Sequence, residues 1–202
     1  MKLLQRSLII SAAVFAAACA GPNPNPGERT ADMAWERGDY VRALSVIRPA
    51  AERGAPWTQL RLGIAHELGV GMAKDITKAL EWYRKVAKHT GIGGWAEGKL
   101  VGATGRPGYF NQNSDALIAQ HQISGLYLRG DGVKRDLVEA YLWAKNVSEK
   151  TSGRSLFYCC EFAGGRYITA SAIADRLAQI EGEMTANDKA AAAERRQNWT
   201  PQ

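Results

Sequence analysis

The chain has 202 residues, of which 46% are hydrophobic and 23% charged, enough apolar content for the core of one domain. Its 26 basic and 20 acidic residues give a net charge of +6. This excess suits contact with anionic surfaces but is too small to indicate nucleic-acid binding.

Residues 1–18 have the order of a secretory signal peptide. Lys2 and Arg6 precede the uncharged run SLIISAAVFAAA, which is shorter than the roughly 20 apolar residues that a transmembrane helix needs. Removal of this segment would take away two basic residues and no acid, so the net charge would fall from +6 to +4.

The junction Ala-Ala-Ala-Cys resembles a bacterial lipobox, and the resemblance implies cleavage before Cys19 and lipidation of its thiol. Ala16 stands where a lipobox usually has leucine, so ordinary cleavage after Ala18 or Ala20 remains an alternative. Ala20 follows the cysteine where lipoproteins of the inner membrane commonly have aspartate. The resemblance therefore implies delivery to the outer membrane, with a soluble periplasmic protein as the alternative.

Residues 19–29 contain the run GPNPNPGE and predict a tether between the lipid and the folded body. Each proline fixes its own φ and drives the preceding residue towards extended conformations, so no helix is expected to begin in this run. At about 3.1 Å per residue, such a tether would hold the folded body just off a membrane surface.

Two stretches, GVGMAKDITKALEWYRKVA and GDGVKRDLVEAYLWAKNVS, repeat one pattern 61 residues apart, and a degenerate third copy begins at Asp39. Apolar residues recur one, four, five and eight positions after each aspartate, which predicts helices with one buried face. The aspartates are expected to cap these helices, and the Gly-x-Gly sequences to form tight turns. The structural repeat positions are Gly69, Gly71, Asp75, Ala79 and Trp82, and Gly130, Gly132, Asp136, Ala140 and Trp143.

The pattern LG-x(5)-G-x-G-x(3)-D-x(3)-A-x-x-W-Y resembles the Sel-one-like repeat (SLR) family, which is related to tetratricopeptide repeats. The resemblance implies an all-α fold over residues 30–152, a short solenoid of stacked helical hairpins. Its first helices, at residues 58–68 and 115–129, would line a groove. Residues 153–202 predict a C-terminal pair of capping helices, at residues 168–183 and 186–199.

The 61-residue spacing falls short of two 36-residue repeats, so we expect a shortened hairpin in the glycine-rich, irregular segment 91–113. A decayed first helix over residues 95–104 and a lost second helix would explain the spacing. The segment carries Trp95, Arg106, Tyr109 and Phe110. These side chains either fill the gap left by the missing helix or form a recognition loop for a partner.

The sequence offers no cluster of reactive groups. His66 and His121 lie on predicted scaffold helices, and His89 ends one, where a positive charge is favourable. No HExxH, CxxC or GxSxG spacing supports a zinc site or an acyl-transfer nucleophile. We therefore predict a protein that is not an enzyme and uses no cofactor or metal, and His66 remains a candidate for partner contact.

Cys159 and Cys160 are adjacent in FYCCEF, on a segment expected to be helical. Neighbouring side chains on a helix point about 100° apart, so a bond between them would distort the backbone. Buried free thiols, a vicinal disulfide and an intermolecular disulfide all remain open. Two free thiols in the unreduced protein would exclude both oxidised forms.

The leading hypothesis is a non-catalytic, membrane-anchored periplasmic protein whose helical-repeat groove binds another protein, such as an envelope-assembly component. Some short SLR lipoproteins that resemble this chain are immunity proteins against type VI secretion phospholipase toxins. This is the alternative, with residues 95–110 supplying specificity for the toxin. A cell-wall-binding or lytic protein is a more distant third, because Trp82 and Trp143 at equivalent repeat positions favour structural roles.

Overall fold

The structure is a computed structural model that describes residues 26–89, 94–96, 99–101, 114–162 and 165–201. The helices of this part are α1 Pro26–Glu36, α2 Tyr40–Glu52, α3 Pro56–Leu68, α4 Ile76–Ala87, α5 Ser114–Arg129, α6 Leu137–Thr151, α7 Ala170–Glu183 and α8 Ala186–Arg196. Two antiparallel hairpins pair β1 Gly94–Ala96 with β2 Lys99–Val101 and β3 Leu156–Phe162 with β4 Gly165–Ile168. None of the helices in the described ranges is long and apolar enough to span a membrane.

The helices form hairpins that stack in two layers. Each helix packs against the next one along the chain from α1 to α7, and α3 and α5, α5 and α7, and α6 and α8 are also in contact. We call α1, α3, α5 and α7 the first-helix layer, and α2, α4, α6 and α8 the second-helix layer. The predicted all-α solenoid of stacked helical hairpins is thus confirmed, and the C-terminal pair α7 and α8 continues it.

The repeated aspartates begin the second helices by accepting a hydrogen bond from the backbone three residues on. Without it, an N–H group in the first turn of each helix would lack a partner. These bonds run from Arg42 N to Asp39 (3.2 Å), from Lys78 N to Asp75 (2.9 Å) and from Glu139 N to Asp136 (2.9 Å). Ala43, Ala79 and Ala140, four positions after each cap, are fully buried where the helices approach one another.

The Gly-x-Gly turns pack on the hairpin that precedes them. Gly71 and Gly132 have φ values of +68° and +67°. A Cβ atom on Gly71 would lie 2.8 Å from Tyr40 Cβ, and one on Gly132 would lie 2.4 Å from Ile76 Cβ. Tyr40 and Ile76 are each the first residue of a second helix, so the same close contact joins consecutive hairpins twice.

A buried glutamine repeats with the same geometry. Gln59 Nε2 donates to the carbonyl oxygen of Ala51 (3.0 Å), and Gln120 Nε2 donates to that of Ala87 (3.1 Å). Both acceptors lie in the last turn of a second helix, where carbonyl groups lack a partner within the helix. Each first helix is therefore tied to the end of the preceding hairpin.

These two repeated contacts change the interpretation of the 61-residue spacing. Helix α4 contacts α5 and the glycine turn after α5. Helix α2 contacts α3 and the glycine turn after α3 in the same way. The two good copies are therefore consecutive hairpins, and the spacing exceeds one 36-residue repeat by an insertion between α4 and α5. The expectation of a shortened hairpin with a lost second helix is wrong, because no hairpin is missing from the stack.

Two segments expected to be helical form strands in the structure. Residues 94–96 and 99–101 pair as β1 and β2 where a helix over 95–104 was expected, since glycines disfavour a helix. Cys159 and Cys160 lie in β3, whose aromatic residues favour a strand. Leu156 of β3 is fully buried in the core with α5, and β3 also contacts α1, so this hairpin lies on the first-helix layer.

The proline-rich tether ends earlier than expected. Helix α1 begins at Pro26, so the prediction that no helix begins in this run is wrong. A proline is favoured at the first helical position, because its φ is already helical and its missing N–H would have no partner there. Residues 1–25 lie outside the described part.

Replacement of Gly132 by alanine tests the contact that joins the hairpins. We expect Gly132→Ala to lower the free energy of unfolding by about 2 to 4 kcal/mol, since it adds a clash with Ile76 to the strain of a positive φ. Gly153→Ala is the matched control, because Gly153 has φ +75° and nothing within 4 Å of its Cβ position. Urea unfolding measures both, and equal losses would contradict a role for the contact in stacking.

Candidate functional site

Most of the predicted partner-contact residues lie outside the described part of the chain. This holds for Arg106, Tyr109 and Phe110, and for the lipidation candidate Cys19. Trp95 lies in β1, and the structure describes its backbone but not its side chain. The structure therefore describes the surroundings of His66 alone in this set.

His66 faces the second-helix layer. It is half-buried near the end of α3, and the charges that act on it are those of Asp75, Lys78, Arg48 and Glu81, which cap or lie on α2 and α4. Burial lowers its pKa, so the ring is neutral at pH 7. Its Nδ1 is enclosed and has no hydrogen-bond partner in the described ranges. The position is that of a packed scaffold residue.

A polar cluster lies at the C-terminal ends of α3 and α5. The carboxylate of Glu67 accepts hydrogen bonds from Tyr83 Oη (2.6 Å), Gln122 Nε2 (3.4 Å) and Arg129 Nη2 (3.2 Å). Gly63 makes room for the Tyr83 ring, which comes within 2.6 Å of the position of its missing Cβ. This arrangement joins two consecutive hairpins through one carboxylate, whose side chain is 13% exposed.

A second arginine from α7 completes the cluster. Arg176 Nη1 donates to the carbonyl oxygen of His121 (2.8 Å). The Nη1 atoms of Arg176 and Arg129 lie 2.4 and 2.9 Å from the position that a Cβ would take on Gly125, so a larger residue there would displace one or both guanidinium groups. Burial and the neighbouring Arg129 lower the pKa of Arg176, and Glu67 opposes this shift.

We call Glu67, Tyr83, Gln122, Arg129 and Arg176 the arginine–glutamate cluster. It contains two guanidinium groups and one carboxylate, which pairs with Arg129, so it carries one net positive charge. The side chain of Arg129 is 48% exposed and thus open to a partner. Guanidinium groups bind carboxylates through paired, charge-assisted hydrogen bonds. The cluster is therefore suited to an acidic side chain of another protein.

The sequence pattern contained a signal for this cluster that spacing arguments overlook. At two adjacent positions one copy of the repeat has a charged residue where the other has leucine. Glu67 corresponds to Leu128, and Leu68 corresponds to Arg129. A residue needed only for stacking would recur in both copies. These charged residues do not recur, which marks them as candidates for a role outside the scaffold.

The repeated tryptophans are packed side chains. Trp143 is 2% exposed, donates from Nε1 to Glu139 (3.1 Å) and meets the ring of Trp199 edge to face at 4.9 Å. Trp82 is half-buried, and the Lys85 ammonium lies 3.9 Å from its ring centre. Burial of Trp143 and the ammonium group over Trp82 favour packing roles for both rings over stacking on a sugar.

The largest pKa shifts among the described residues have burial as their main cause. Burial lowers the pKa of His121 to about 3, and the charge of Arg176 adds to the shift. Burial raises the pKa of Asp115 to about 6, and Arg61 opposes it. Burial also lowers the pKa of His89, so the positive charge expected at the end of α4 is disfavoured. Within the described ranges no group of three or more metal-ligating side chains occurs.

The pKa of His121 predicts a loss of stability in mild acid. Its folded-state pKa lies below its unfolded value of 6.5, so the unfolded chain binds the proton more tightly and stability falls as the pH drops. Between pH 7 and 4.5 we expect a loss of about 2 to 3 kcal/mol from this group. Urea unfolding at several pH values measures it, and His121→Leu should remove it.

Asp115 serves as a control, because it changes the stability in acid in the direction opposite to His121. Its folded-state pKa is raised, so its contribution to stability is present below its ordinary value of 3.8 and is lost as the pH rises towards 6. The Asp115→Asn variant should therefore lose more stability in acid than the wild type does. An unchanged acid loss in His121→Leu would contradict the assignment.

Comparisons with known proteins identify the repeats. A sequence model of the Sel1 repeat matches residues 58–90 and 117–146. A protective antigen of uropathogenic Escherichia coli with an SLR fold is 21% identical over 85% of this chain and 28% of its own, with a TM-score of 0.56. A Sel1 repeat protein from Oxalobacter formigenes is 23% identical over 57% of this chain and 37% of its own, with a TM-score of 0.41.

The chain thus spans about a third of the length of these solved structures or less, and the first of them shows the fold alone. A search of curated proteins found no match. The two matched segments coincide with the two hairpins that carry the repeated glycine turns and aspartate caps. Residues 58–90 and 117–146 thus match the Sel1 repeat, a scaffold for protein–protein interaction, and the chain has the fold of an SLR protein.

Proposed function

We propose that this protein is a non-catalytic adaptor that binds a partner protein through the arginine–glutamate cluster on its first-helix layer. The observation that carries the proposal is the pair of guanidinium groups beside Gly125, of which Arg129 pairs with Glu67 and Arg176 bonds the carbonyl oxygen of His121. If the cluster served only to hold the helices together, each of its charges would be expected to have a partner of opposite sign. The excess positive charge and the exposure of Arg129 favour an acidic group on the partner.

The insertion between α4 and α5 is proposed as a second contact region. It carries Arg106, Tyr109 and Phe110, and Trp95 lies near its start. Insertions between repeats commonly form loops on a binding face. The alternative that these aromatic residues fill the place of a lost helix has lost its support, since the hairpins on either side are stacked directly.

We further propose that the protein is a lipoprotein held at the periplasmic face of the outer membrane. The support is the sequence of residues 1–29, with its signal peptide, Cys19 and proline-rich run. Because α1 begins at Pro26, the tether from Cys19 would be about 20 Å long when extended. The stack would then stand close to the membrane surface.

Labelling of growing cells with a palmitate analogue tests the anchor. The full-length protein should carry the label and sediment with the outer membrane, because the acyl chains attached at Cys19 insert into it. Cys19→Ser should lose the label, and Cys159→Ser is the matched control that should keep it. An unlabelled wild-type protein in the soluble periplasmic fraction would favour ordinary cleavage after Ala18 or Ala20.

Affinity purification from envelope extract tests partner binding at the cluster. We expect Arg129→Glu to weaken retention of the partner about tenfold or more, because it replaces a favourable charge by a repulsive one. Arg53→Glu is the control, since Arg53 is exposed in the loop between α2 and α3. Arg129→Gln, which can still donate to Glu67, guards against a folding defect. Equal retention by all variants would contradict the proposal.

The identity of the retained protein separates the two forms of the proposal. Envelope-assembly components would indicate a housekeeping adaptor. A single stoichiometric phospholipase toxin would indicate an immunity protein, the narrower form that the resemblance to short SLR lipoproteins supports. A deletion strain would then be killed by a sister strain that secretes the toxin. Survival of that strain would exclude the immunity role.

A further inference from the structure

A cavity of about 440 Å³ lies where the ends of α4 and α6, the start of α5 and the C-terminal tail meet. It contains no residue of the arginine–glutamate cluster, so a ligand bound in it would be independent of the proposed function. The volume falls in the range of pockets that hold small molecules. Its lining combines two buried amides, charged residues at the rim and an aromatic wall.

The amides of Gln120 and Asn146 form its polar floor. They are 2% and 7% exposed, and Asn146 Nδ2 donates to Gln120 Oε1 at 2.7 Å. Gln120 Nε2 uses one hydrogen for Ala87, which leaves one N–H on each amide and the carbonyl oxygen of Asn146 without a protein partner in the described ranges. Both residues line the cavity, and Asn146 Oδ1 is not enclosed without a partner, so it is accessible there.

The first copy of the repeat shows that the scaffold does not require this arrangement. Gln59 makes the same bond to the preceding hairpin, yet Lys85 stands at the position that corresponds to Asn146. The Oε1 atom of Gln59 is enclosed and has no partner in the described part of the chain. Asn146 therefore satisfies Gln120 Oε1, an atom that the first copy leaves without a partner among the described residues, and also adds its own carbonyl oxygen and a second N–H to the cavity.

The rim carries one net positive charge. Arg196 pairs with Glu149, whereas Lys150 makes no ion pair within the described residues. Burial lowers the pKa of His89, which leaves that lining residue uncharged at neutral pH. Trp199, held edge to face against Trp143 and with the Arg196 guanidinium 5.6 Å from its ring centre, supplies the aromatic part of the wall. The cavity thus offers a cation, a donor–acceptor pair and an apolar surface within one small volume.

We propose that this cavity binds a carboxylate that is adjacent to a secondary amide, the chemistry of an N-acylated amino acid. The carboxylate lies at Lys150, and the amide unit donates to Asn146 Oδ1 and accepts from the free N–H groups of the floor. The ligand's side chain packs on Trp199. The free carboxyl end of a peptide has the same chemistry, so a small molecule and a peptide terminus are two sources of one ligand group.

Titration of the ¹⁵N-labelled protein with N-acetyl-leucine tests the site. The side-chain amide signals of Gln120 and Asn146 should shift and saturate, and uncharged N-acetyl-leucinamide should bind at least about tenfold more weakly. Lys150→Gln should weaken binding of the acid without affecting the leucinamide, and Asn146→Leu should abolish both. Lys189→Gln and Asn187→Leu, on exposed positions of α8, are the matched controls.

An octapeptide ending in leucine, compared as free acid and as amide, separates the sources. Binding of the free-acid peptide about tenfold tighter than N-acetyl-leucine would assign the site to a chain terminus. Equal or weaker peptide binding would assign it to a small molecule. The proposal is overturned if neither amide signal shifts, or if the acid and the leucinamide bind equally well.

Discussion

The architecture depends on the close approach of each glycine turn to the hairpin before it. Gly71 lies on Tyr40 and Gly132 on Ile76, at distances that leave no room for a Cβ atom. The contact fixes where one hairpin sits on the next, and the buried glutamine bonds fix the opposite end of the same interface. Since both contacts recur with the same geometry, the stack is continuous despite the insertion between α4 and α5.

Burial of the first helices explains where polar groups can lie. α3 and α5 are enclosed on nearly every side over most of their length, so a polar side chain there must find a partner. Ser124 meets this condition by donating to the carbonyl oxygen of Ala140 at 2.9 Å. Gln120 and Asn146 keep bonding capacity to spare where they line the cavity, and Arg129 does so at the exposed end of α5.

The sequence alone was sufficient to predict the features that depend on residues close to one another along the chain. The aspartate caps and the second helices follow from local spacing, and both appear as expected. The spacing of 61 residues could not distinguish a shortened double repeat from a single repeat with an insertion, because that requires knowing which helices touch. The cluster was missed for the same reason, since Arg176 reaches it from α7, far along the chain.

The two candidate sites share one physical origin. Residues that recur in both copies, such as the turn glycines, are required by stacking and cannot vary without loss of the interface. Glu67, Arg129 and Asn146 stand where the other copy has Leu128, Leu68 and Lys85. Helix α5 contributes to both sites, with Gln120 in the cavity floor and with Gln122 and Arg129 in the cluster. Binding specificity in this scaffold therefore resides where its repeats differ.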